Sequence, residues 1–465
     1  MGALHLAVAV ALVLALAGTA ASQFMVESLP GFPGKLPFKL ETGYIGVGET
    51  DEVQLFYYFI ESERDPKRDP LMLWLTGGPG CSSFTGLAYE IGPLGFNYSA
   101  FDWNVVTLTL NPNSWTQVAS IIFLDSPVGA GFSYSNTLQG WSSSDTLSAA
   151  LTYNFLRKWL IGHPKFRSNP LYICGDSYSG IVVPNIVQEI ADGNEMGKVP
   201  MMNLKGYVLG NPLSDYANMK SSIITYAHRV ALISDELYES VKISCHGDYL
   251  HIDKNNTQCR EDIRAINDCI GSLDIAHILE PGCSTPSLRR NTLNWDRRSL
   301  EEDPSDFLHS LVPEHWCRRY TYYLSYVWAN DKLVQDALHV RQGTIKKWVR
   351  CNSSILYDED VTSTIAYHRN LTKKSLRALI YSGDQDLSIP YVGTAEWIRT
   401  LGVPISEDWR PWFVEGQVAG YTMEYKSSTY NLVFATVKGA GHTAPEYKPK
   451  ECFAMADRWF AYYSL

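Results

Sequence analysis

The chain has 465 residues, of which 45% are hydrophobic and 19% are charged, so it can fill a large folded core and is neither a disordered tail nor a fibrous repeat. Its 39 basic residues are outnumbered by 49 acidic ones, and the formal net charge is -10 without a long run of either sign. This balance argues against a nucleic-acid partner, whereas the length alone allows one to three domains.

The amino terminus carries an apolar block at residues 4–18, followed by small residues up to position 22. This pattern predicts a secretory signal peptide over residues 1–22, although no Lys or Arg precedes the block. A membrane anchor is the alternative, but the block is shorter than the roughly 20 apolar residues that a spanning helix needs. We therefore expect a mature protein of the secretory pathway without a membrane anchor.

The nine cysteines would be idle thiols in a reducing cytosol, but in an oxidising compartment they could form up to four disulfides with one thiol left over. They are not arranged as paired Cys-x-x-Cys units with histidine, so the sequence predicts no metal site. Four Asn-x-Ser/Thr triplets agree with secretory routing and predict N-glycosylation. The candidate acceptors are Asn97, Asn255, Asn352 and Asn370.

Short apolar stretches alternate with turn residues and helical stretches from about residue 23 to residue 211, which predicts an α/β sheet. Strands are predicted at residues 71–75, 121–125 and 171–174. Between residues 144 and 160, apolar residues at helical spacing predict a helix that covers the sheet. These apolar residues are Leu147, Leu151, Phe155 and Trp159.

Residues 212–335 have a different character, because they hold five of the nine cysteines and a polar segment at 284–306 with few apolar residues to bury. We interpret this region as an insertion with an exposed loop. The strand pattern then resumes at residues 376–384 and 432–442.

The sequence Gly-Asp-Ser-Tyr-Ser-Gly at residues 175–180 lies between a predicted strand and a helix-like run. A strand, a sharp turn with a serine and a helix form the nucleophile-elbow layout, which needs small residues two positions before and after the serine. Gly175 and Ser179 meet this need around Ser177, with Ser179 in place of the usual second glycine. The alternative is an ordinary Gly/Ser-rich turn after a strand.

A nucleophilic serine needs a histidine to take its proton and a carboxylate to orient that histidine, and in this layout they follow in the order Ser, Asp, His. His442 follows the strand that ends near Val437 and a Gly-Ala-Gly run, and the alternative for it is a structural loop histidine. Asp384 and Asp386 both follow the strand that ends near Tyr381. The strand pattern alone does not separate these two aspartates.

A glycine-rich run, Trp-Leu-Thr-Gly-Gly-Pro-Gly-Cys-Ser-Ser at residues 74–83, again follows an apolar strand. Glycines allow backbone N–H groups to converge, and an acyl-transfer enzyme needs such donors for its tetrahedral oxyanion. The amides of Gly78 and Tyr178 are the candidates. A phosphate-binding loop is the competing interpretation, but the Lys-Ser/Thr ending of that motif is missing.

The motifs WLTGGPGCSS, CGDSYSG, SGDQD and GAGHTAPEYKP together resemble the serine carboxypeptidase-like family of α/β-hydrolases, from about residue 28 to the carboxyl terminus. The resemblance implies an α/β-hydrolase fold with a central mixed sheet, helices on both faces and an inserted, mainly helical cap. The three catalytic positions meet only if both ends of the chain build one sheet. We therefore expect a catalytic core at residues 23–211 and 336–465, with the cap at 212–335.

The resemblance implies that Ser177 is the nucleophile, that His442 is the general base and then acid, and that Asp386 is the orienting carboxylate. It implies Gly78 and Tyr178 as oxyanion donors. It also implies three disulfides, Cys81–Cys351, Cys245–Cys259 and Cys283–Cys317, and leaves Cys174, Cys269 and Cys452 unassigned.

Peptidases of this family carry WLNGGPGCSS and GESYAG, in which the Asn and the acidic groups hold the terminal carboxylate of a peptide. This chain has Thr76 for the Asn, Asp176 for the Glu and Ser179 for the Ala, whereas Glu90 keeps the other acidic position. With Gly77, the residues Thr76, Glu90 and Asp176 are the candidates for substrate binding. A lost donor to a charged group costs on the order of 1.5 to 3 kcal/mol, which argues against an efficient carboxypeptidase.

GDSYSG, WLTGGPGCSS and the sequence at residues 322–340 resemble the plant acyltransferase branch, which uses 1-O-β-glucose esters as acyl donors. We therefore expect an acyltransferase that needs no cofactor and whose partners are a small-molecule acyl glucose ester and a hydroxyl-bearing acceptor. A serine carboxypeptidase is the second hypothesis, and a catalytically silent binding protein is the third. The resemblance also favours the vacuole over the extracellular space. It further suggests a monomer, or two disulfide-linked chains after excision of residues 284–306.

Overall fold

The structure is a computed structural model of the chain. It describes residues 22–98, 106–280, 282 and 318–465. Residues 1–21 of the predicted signal peptide, the Cys283–Cys317 pair and the segment 284–306 lie outside the described residues. Within the described ranges, no helix combines the length and the apolar character needed to cross a membrane.

The strands follow the apolar stretches of the sequence and often extend one or two residues beyond them. In chain order they are β1 Ser22–Val26, β2 Leu40–Val47, β3 Val53–Ile60, β4 Leu71–Leu75, β5 Leu94–Phe96, β6 Leu108–Leu110, β7 Ser120–Leu124, β8 Tyr134–Ser135, β9 Ser142–Ser144, β10 Leu171–Asp176, β11 Leu204–Gly210, β12 Leu356–Asp358, β13 Leu376–Gly383, β14 Ile405–Val414, β15 Gln417–Lys426 and β16 Tyr430–Val437.

The helices divide between the two sides of the sheet and the inserted region. They are α1 Asp145–Gly162, α2 Ser179–Glu195, α3 Tyr216–Arg229, α4 Asp235–Ser244, α5 Thr257–Ile270, α6 Arg318–Ala329, α7 Lys332–Ala337, α8 Ile365–Leu371, α9 Tyr391–Arg399, α10 Ala444–Tyr447 and α11 Pro449–Phe460.

One large sheet carries the site, and its strand order is β1-β2-β3-β7-β4-β10-β11-β13-β16-β15-β14. The central strands from β7 to β16 are parallel, whereas the strands on both flanks are antiparallel. The carboxyl ends of parallel strands meet at one edge, so the loops after β4, β10, β13 and β16 lie together. The predicted mixed sheet is confirmed.

Side chains alternate between the two faces of the sheet and bury two separate apolar cores. Leu73 and Leu75 of β4 pack in the core that contains α1 and α2, whereas Met72 and Trp74 pack in the core that contains α11. Helices therefore cover both faces, as expected for strands that are apolar along their whole length.

The helix predicted at residues 144–160 is α1, and its actual bounds are Asp145–Gly162. Ser144 caps it, because its Oγ accepts a hydrogen bond from the amide of Leu147. The expectation that Leu147 faces the core is wrong, since that side chain is 44% exposed while Phe155 and Trp159 are buried. The buried stripe instead runs through smaller residues of the first turns, including Ser148 and Ala149, which allow close approach to the sheet.

The inserted region leaves the sheet after β11 and the chain returns to it at β13, and these two strands are direct neighbours. The described part of the insertion contains α3, α4, α5 and α6 and is therefore mainly helical. The exact division into a core at 23–211 and 336–465 and a cap at 212–335 stays a prediction.

Candidate active site

Ser177 stands in the turn between β10 and α2, with a φ of 57° that residues with a side chain rarely adopt. Its amide donates to the carbonyl of Gly210 at 2.8 Å. The turn packs β10 closely against both β4 and α2, because a Cβ at Gly175 would lie 2.5 Å from the carbonyl oxygen of Leu75 and 2.6 Å from Ser179 Cβ. Ser179 fits where a second glycine is usual, since its Oγ donates to that same carbonyl at 2.9 Å. The chain thus forms the strained elbow that its sequence predicts.

The structure brings the three predicted catalytic side chains into one line. His442 Nε2 lies 2.8 Å from Ser177 Oγ, and His442 Nδ1 lies 2.8 Å from Asp386 Oδ2. Asp386 is fully buried. Asn211 Nδ2 donates to its Oδ2 at 2.8 Å, and the amide of Ser388 donates to its Oδ1 at 2.8 Å. This carboxylate is therefore fixed from three directions.

The two aspartates that the strand pattern left open have different partners. Asp384 Oδ1 accepts from the amide of Gly439 at 2.7 Å and from the side chain of Gln385 at 2.9 Å. It thus secures the loop that leads to His442, while Asp386 contacts the imidazole itself. The geometry selects Asp386 as the orienting carboxylate.

The charges around His442 favour its protonated form. Burial alone lowers the pKa, but the charge and the hydrogen bond of Asp386 outweigh it, with smaller contributions from Asp176 and Asp274. The pKa of His442 is therefore raised above its ordinary value. A neutral imidazole placed here can take the proton of Ser177 Oγ, and the imidazolium that forms is stabilised by its carboxylate neighbour.

The glycine-rich loop after β4 lies against the elbow. A Cβ at Gly77 would stand 2.7 Å from both Ser177 Cβ and the amide nitrogen of Tyr178, so glycine is required for this close approach. Gly78 has a φ of 122°, which also favours glycine. In the described part of the chain, the amides of Gly78 and Tyr178 donate to no protein acceptor. Both N–H groups therefore remain free to bind an oxyanion.

A buried carboxylate holds the far end of this loop. Asp125 accepts from the hydroxyl of Ser82 at 2.7 Å, from the amide of Ser83 at 2.9 Å and from the amide of Phe132 at 2.9 Å. Burial raises the pKa of Asp125 to about 7, even though these hydrogen bonds lower it. The loop is thus built on a rigid, fully hydrogen-bonded support.

Two of the four candidates for substrate binding, Asp176 and Glu90, form an acidic pair beside Ser177. Asp176 Oδ1 accepts from the amide of Gly77 at 3.3 Å, and burial raises the pKa of Asp176 to about 6. Glu90 is 2% exposed, and neither of its carboxyl oxygens has a hydrogen-bond partner among the described residues. Burial and then the charge of Asp176 raise the pKa of Glu90 well above its ordinary value. Thr76 Oγ1 accepts from the indole of Trp74 at 3.3 Å.

The side chain of Tyr178 leads to a carboxylate that sequence reasoning missed. Its hydroxyl donates to Asp145 Oδ1 at 2.9 Å, and the hydroxyl of Tyr357 donates to the same oxygen at 2.9 Å. The amide of Val361 donates to Asp145 Oδ2 at 3.0 Å. Burial raises the pKa of Asp145 to about 6 against these bonds. This network fixes Tyr178, whose amide is the second candidate donor to an oxyanion.

Sequence reasoning also missed Asn211, which holds Asp386. Both missed residues directly follow a strand, Asn211 after β11 and Asp145 after β9. A polar residue at a strand end is the signal that could have found them, although each lies far in the sequence from the group it supports. In the part of the chain that the structure describes, no cluster of side chains suits a metal ion.

Two of the predicted disulfides are present, Cys81–Cys351 and Cys245–Cys259. The first ties the glycine-rich loop to the segment that follows the insertion, and the second lies within the insertion. Among the described residues, Cys174 and Cys452 are buried free thiols, and Cys269 is an exposed one.

The four glycosylation predictions stay predictions, and their sites differ in accessibility. Asn255 and Asn370 are exposed, and Asn97 is partly exposed. Asn352 Nδ2, the atom that a glycan would modify, donates to the carbonyl of Gly129 at 2.9 Å. This fold therefore accommodates a glycan least readily at Asn352.

Comparison with known proteins places this geometry in a family. The model described as serine carboxypeptidase matches residues 30–462. Serine carboxypeptidase-like 2 of Arabidopsis thaliana is 49% identical over 438 residues, covering 94% of this chain and 92% of that protein. Serine carboxypeptidase-like 14 of the same plant is 49% identical over 450 residues, covering 97% of this chain and 96% of that protein.

A solved structure supports the fold. The crystal structure of Kex1(Δ)p, a prohormone-processing carboxypeptidase from Saccharomyces cerevisiae, matches with a TM-score of 0.72 at 20% identity, covering 94% of this chain and 95% of that chain. The predicted α/β-hydrolase fold with an inserted helical region is confirmed. The extent of the family match and the identity to the plant proteins together show that the chain belongs to the serine carboxypeptidase family.

Proposed function

We propose that this protein is an acyltransferase that moves an acyl group from a 1-O-acyl-β-glucose ester to a hydroxyl-bearing acceptor. Ser177 Oγ attacks the ester carbonyl while His442 Nε2 takes the hydroxyl proton. The carbonyl oxygen becomes negative and accepts hydrogen bonds from the amides of Gly78 and Tyr178. The bond from the carbonyl carbon to glucose then breaks, and His442 returns its proton to the departing sugar oxygen, which leaves an acyl-serine.

The second half of the reaction repeats these steps with the acceptor. His442 removes the proton from the acceptor hydroxyl, whose oxygen attacks the acyl-serine carbonyl. The bond from the carbonyl carbon to Ser177 Oγ then breaks, the same proton returns from His442 to Ser177 Oγ, and the acyl group leaves as an ester of the acceptor. Asp386 stabilises the imidazolium in both halves, and Asn211 holds Asp386 in place. Each step is carried by the chain's own groups.

The main support for the proposal is the hydrogen bonding and protonation of Asp176, Thr76 and Glu90. One oxygen of Asp176 already accepts from the amide of Gly77, and the hydroxyl oxygen of Thr76 already accepts from Trp74. Burial and the charge of Asp176 raise the pKa of Glu90, which favours its uncharged form. An uncharged carboxyl group can donate to and accept from sugar hydroxyls. A peptide's terminal carboxylate would need stronger donors than these groups supply.

The deciding experiment compares two substrates with the purified protein. One reaction contains a 1-O-acyl-β-glucose and candidate hydroxyl acceptors, and the other contains a blocked dipeptide. We expect acyl transfer in the first and slow release of amino acid in the second. Rapid release of the terminal amino acid without acyl transfer would overturn the proposal. The Ser177→Ala variant is the control, because any activity it keeps does not come from the triad.

A serine carboxypeptidase is the second candidate, and Glu90 favours it because this residue keeps the acidic position that peptidases of the family use. Both activities need the same triad. They differ in the group that attacks the acyl-serine, which is an acceptor hydroxyl in one case and water in the other.

We also propose that the mature protein works in an acidic compartment of the secretory pathway, such as the vacuole. The raised pKa values of Asp125 and Asp176, about 7 and about 6, support this location. A buried carboxyl group with a raised pKa favours the folded state at low pH and loses that contribution as the pH rises through the folded pKa.

A further inference from the structure

One short stretch of the inserted region is bonded to the loops of both catalytic partners of the serine. We call this stretch, residues 274–280, the strap. The carbonyl of Ile275 accepts from the amide of Leu387 at 2.9 Å and from the amide of Ser388 at 3.0 Å. Since these residues directly follow Asp386, the strap fixes the backbone on the carboxyl side of the catalytic carboxylate.

The strap continues to the residue before that carboxylate and then to the histidine loop. The amide of Ile278 donates to the carbonyl of Gln385 at 3.0 Å, and the amide of His442 donates to the carbonyl of Ala276 at 2.8 Å. The contact with the histidine loop is close, because a Cβ at Gly441 would lie 2.3 Å from the carbonyl oxygen of Ala276. Each of the two loops is thus bonded to the same few residues.

Side chains reinforce these backbone bonds. The ring of His277 stacks on Tyr447 with centroids 4.7 Å apart, and its Nε2 lies 3.3 Å from the carbonyl oxygen of Gly439. Asp274 Oδ1 accepts from the amide of Ala276 at 3.0 Å, which fixes the bend of the strap. The strap therefore contacts residues on both sides of the catalytic histidine.

An ionic cluster secures the end of the strap. Arg318 donates to both carboxylate oxygens of Glu280, at 2.6 and 3.1 Å, and to Glu446 at 3.3 Å. Its guanidinium lies 3.9 Å from the ring centroid of Tyr447. Glu446 also accepts from the hydroxyl of Tyr322 at 2.8 Å. The bidentate bond to Glu280 fixes both the position and the angle of the guanidinium. The bond from Arg318 to Glu446 then joins the strap to the helix after His442.

We propose that the strap is a positioning device for the catalytic triad, fastened by the cluster of Glu280, Arg318 and Glu446. The proposal rests on the triad of the proposed function. In this role Glu280 and Arg318 are positioning residues that act through the loops of Asp386 and His442. A misplacement of about 1 Å in a reacting group can cost on the order of a hundredfold in rate, so loosening this support should lower the reactivity of Ser177.

The test measures the nucleophile without either natural substrate. A fluorophosphonate reacts covalently with an activated serine, and its second-order inactivation rate constant reports how well His442 activates Ser177. We expect Arg318→Gln to lower this rate constant and kcat about tenfold or more. Arg318→Lys, which keeps one charged donor, should recover part of the loss. Glu280→Gln keeps an acceptor oxygen and should lose about threefold.

Arg64→Gln is the matched control. Arg64 donates to Asp69 at 2.6 Å, and the side chain of Asp69 is as well buried as that of Glu446, at 7% exposure in both cases. This pair precedes β4 and therefore lies at the sheet edge opposite the triad. We expect Arg64→Gln to lower the melting temperature without changing the inactivation rate constant.

Two results would contradict the positioning role of the strap. If Arg318→Gln lowers the melting temperature but leaves the inactivation rate constant within about twofold of wild type, the cluster is only structural and the proposal is wrong. A loss confined to the KM of the acceptor would overturn it as well. If Arg318→Gln does not fold, Glu280→Gln decides by the same criterion.

The outcome of the substrate comparison does not affect this test, since labelling requires neither the glucose ester nor the dipeptide. A wild-type protein whose Ser177 resists labelling would overturn the triad itself and the strap proposal with it.

Discussion

Two polar regions meet at Ser177, the triad around Asp386 and the acidic pair of Asp176 and Glu90. They differ in how completely the protein supplies hydrogen-bond partners to their carboxyl groups. Asp386 is completely buried and accepts from His442, Asn211 and the amide of Ser388. Glu90 is almost equally buried, yet neither of its carboxyl oxygens has a partner among the described residues. An unpartnered buried polar group costs about 1 to 3 kcal/mol. The chain accepts this cost where a ligand can supply the missing hydrogen bonds.

This difference separates chemistry from recognition. Changes in the triad region should act on kcat, because its groups stabilise the transition state. Changes in the acidic pair should act on KM and on stability, because these groups are the proposed binding site for the glucose ester and because their pKa values are raised. This division can be tested by substitutions at Ser177, Asp386, Asp176, Glu90 and Thr76.

Ser177→Ala should lower kcat for acyl transfer or hydrolysis by on the order of 10⁶-fold, because it removes the hydroxyl that we propose as the covalent nucleophile. Steady-state assays with an acyl glucose ester measure it. Since the change removes one oxygen, the fold and the affinity for the ester should remain. Turnover like that of wild type would show that the triad region does not carry the chemistry.

Asp386→Asn should lower kcat on the order of 10⁴-fold, because the amide favours the wrong tautomer of His442. Asp384→Asn is the matched control, since that carboxylate bonds to the amide of Gly439 and not to the imidazole. We expect less than about tenfold loss in the control. Equal losses in both variants would contradict the selection of Asp386.

The acidic pair should make stability depend on pH. The pKa of Asp176 is raised to about 6, so the folded protein keeps a proton that the unfolded chain releases above about pH 4. The free energy of unfolding should therefore fall between about pH 4 and pH 6, by on the order of a few kcal/mol. Denaturant titrations at several pH values measure this slope.

Asp176→Asn should flatten that slope, because an amide stays neutral throughout. The same change at the exposed Asp268 serves as the control and should leave the slope as it is. A slope that is equally steep in Asp176→Asn would show that other groups cause it.

Glu90→Ala should raise KM for the glucose ester by about one to two decades with a smaller change in kcat, because it removes a hydrogen-bonding group that only the ligand uses. Glu90→Gln resembles the uncharged carboxyl group and should stay within about threefold of wild type. If the glutamine variant loses as much as the alanine variant, the carboxylate acts in its charged form.

Thr76→Asn should raise residual peptidase activity a few-fold, because a side-chain amide adds a donor for a terminal carboxylate. Release of the terminal amino acid from a blocked dipeptide measures it. An unchanged peptidase rate would mean that Thr76 does not set the balance between the two activities.

Local patterns in the sequence were sufficient for the parts of the site that lie within single motifs. The strand, turn and helix around Ser177 and the glycines after β4 could be predicted because close backbone approach permits few residue types. His442 could be predicted because it follows a strand and a glycine run. The choice between Asp384 and Asp386 needed family resemblance, since both stand in one short loop.

The remaining features depend on contacts between distant segments. Asn211 and Asp145 support residues more than thirty positions away, and the strap binds the catalytic loops through backbone atoms that every residue type provides. The pattern of residue types in the sequence therefore could not predict the strap. Leu147 shows the opposite failure, because helical spacing identifies a stripe but does not determine which apolar residue at its edge is covered.

The direct pairing of β11 with β13 has a consequence for the integrity of the molecule. The strands from before the insertion and those from after it pair directly at β11 and β13 within one continuous sheet, and Cys81–Cys351 links the two halves covalently. A single backbone cut between residues 212 and 350 would produce two fragments that share one sheet and remain linked by Cys81–Cys351, and a cut between residues 245 and 259 would leave Cys245–Cys259 as a second link. A protein cut within the insertion should therefore still hold Ser177 and His442 together in one molecule. Only denaturation together with a reducing agent should separate the fragments.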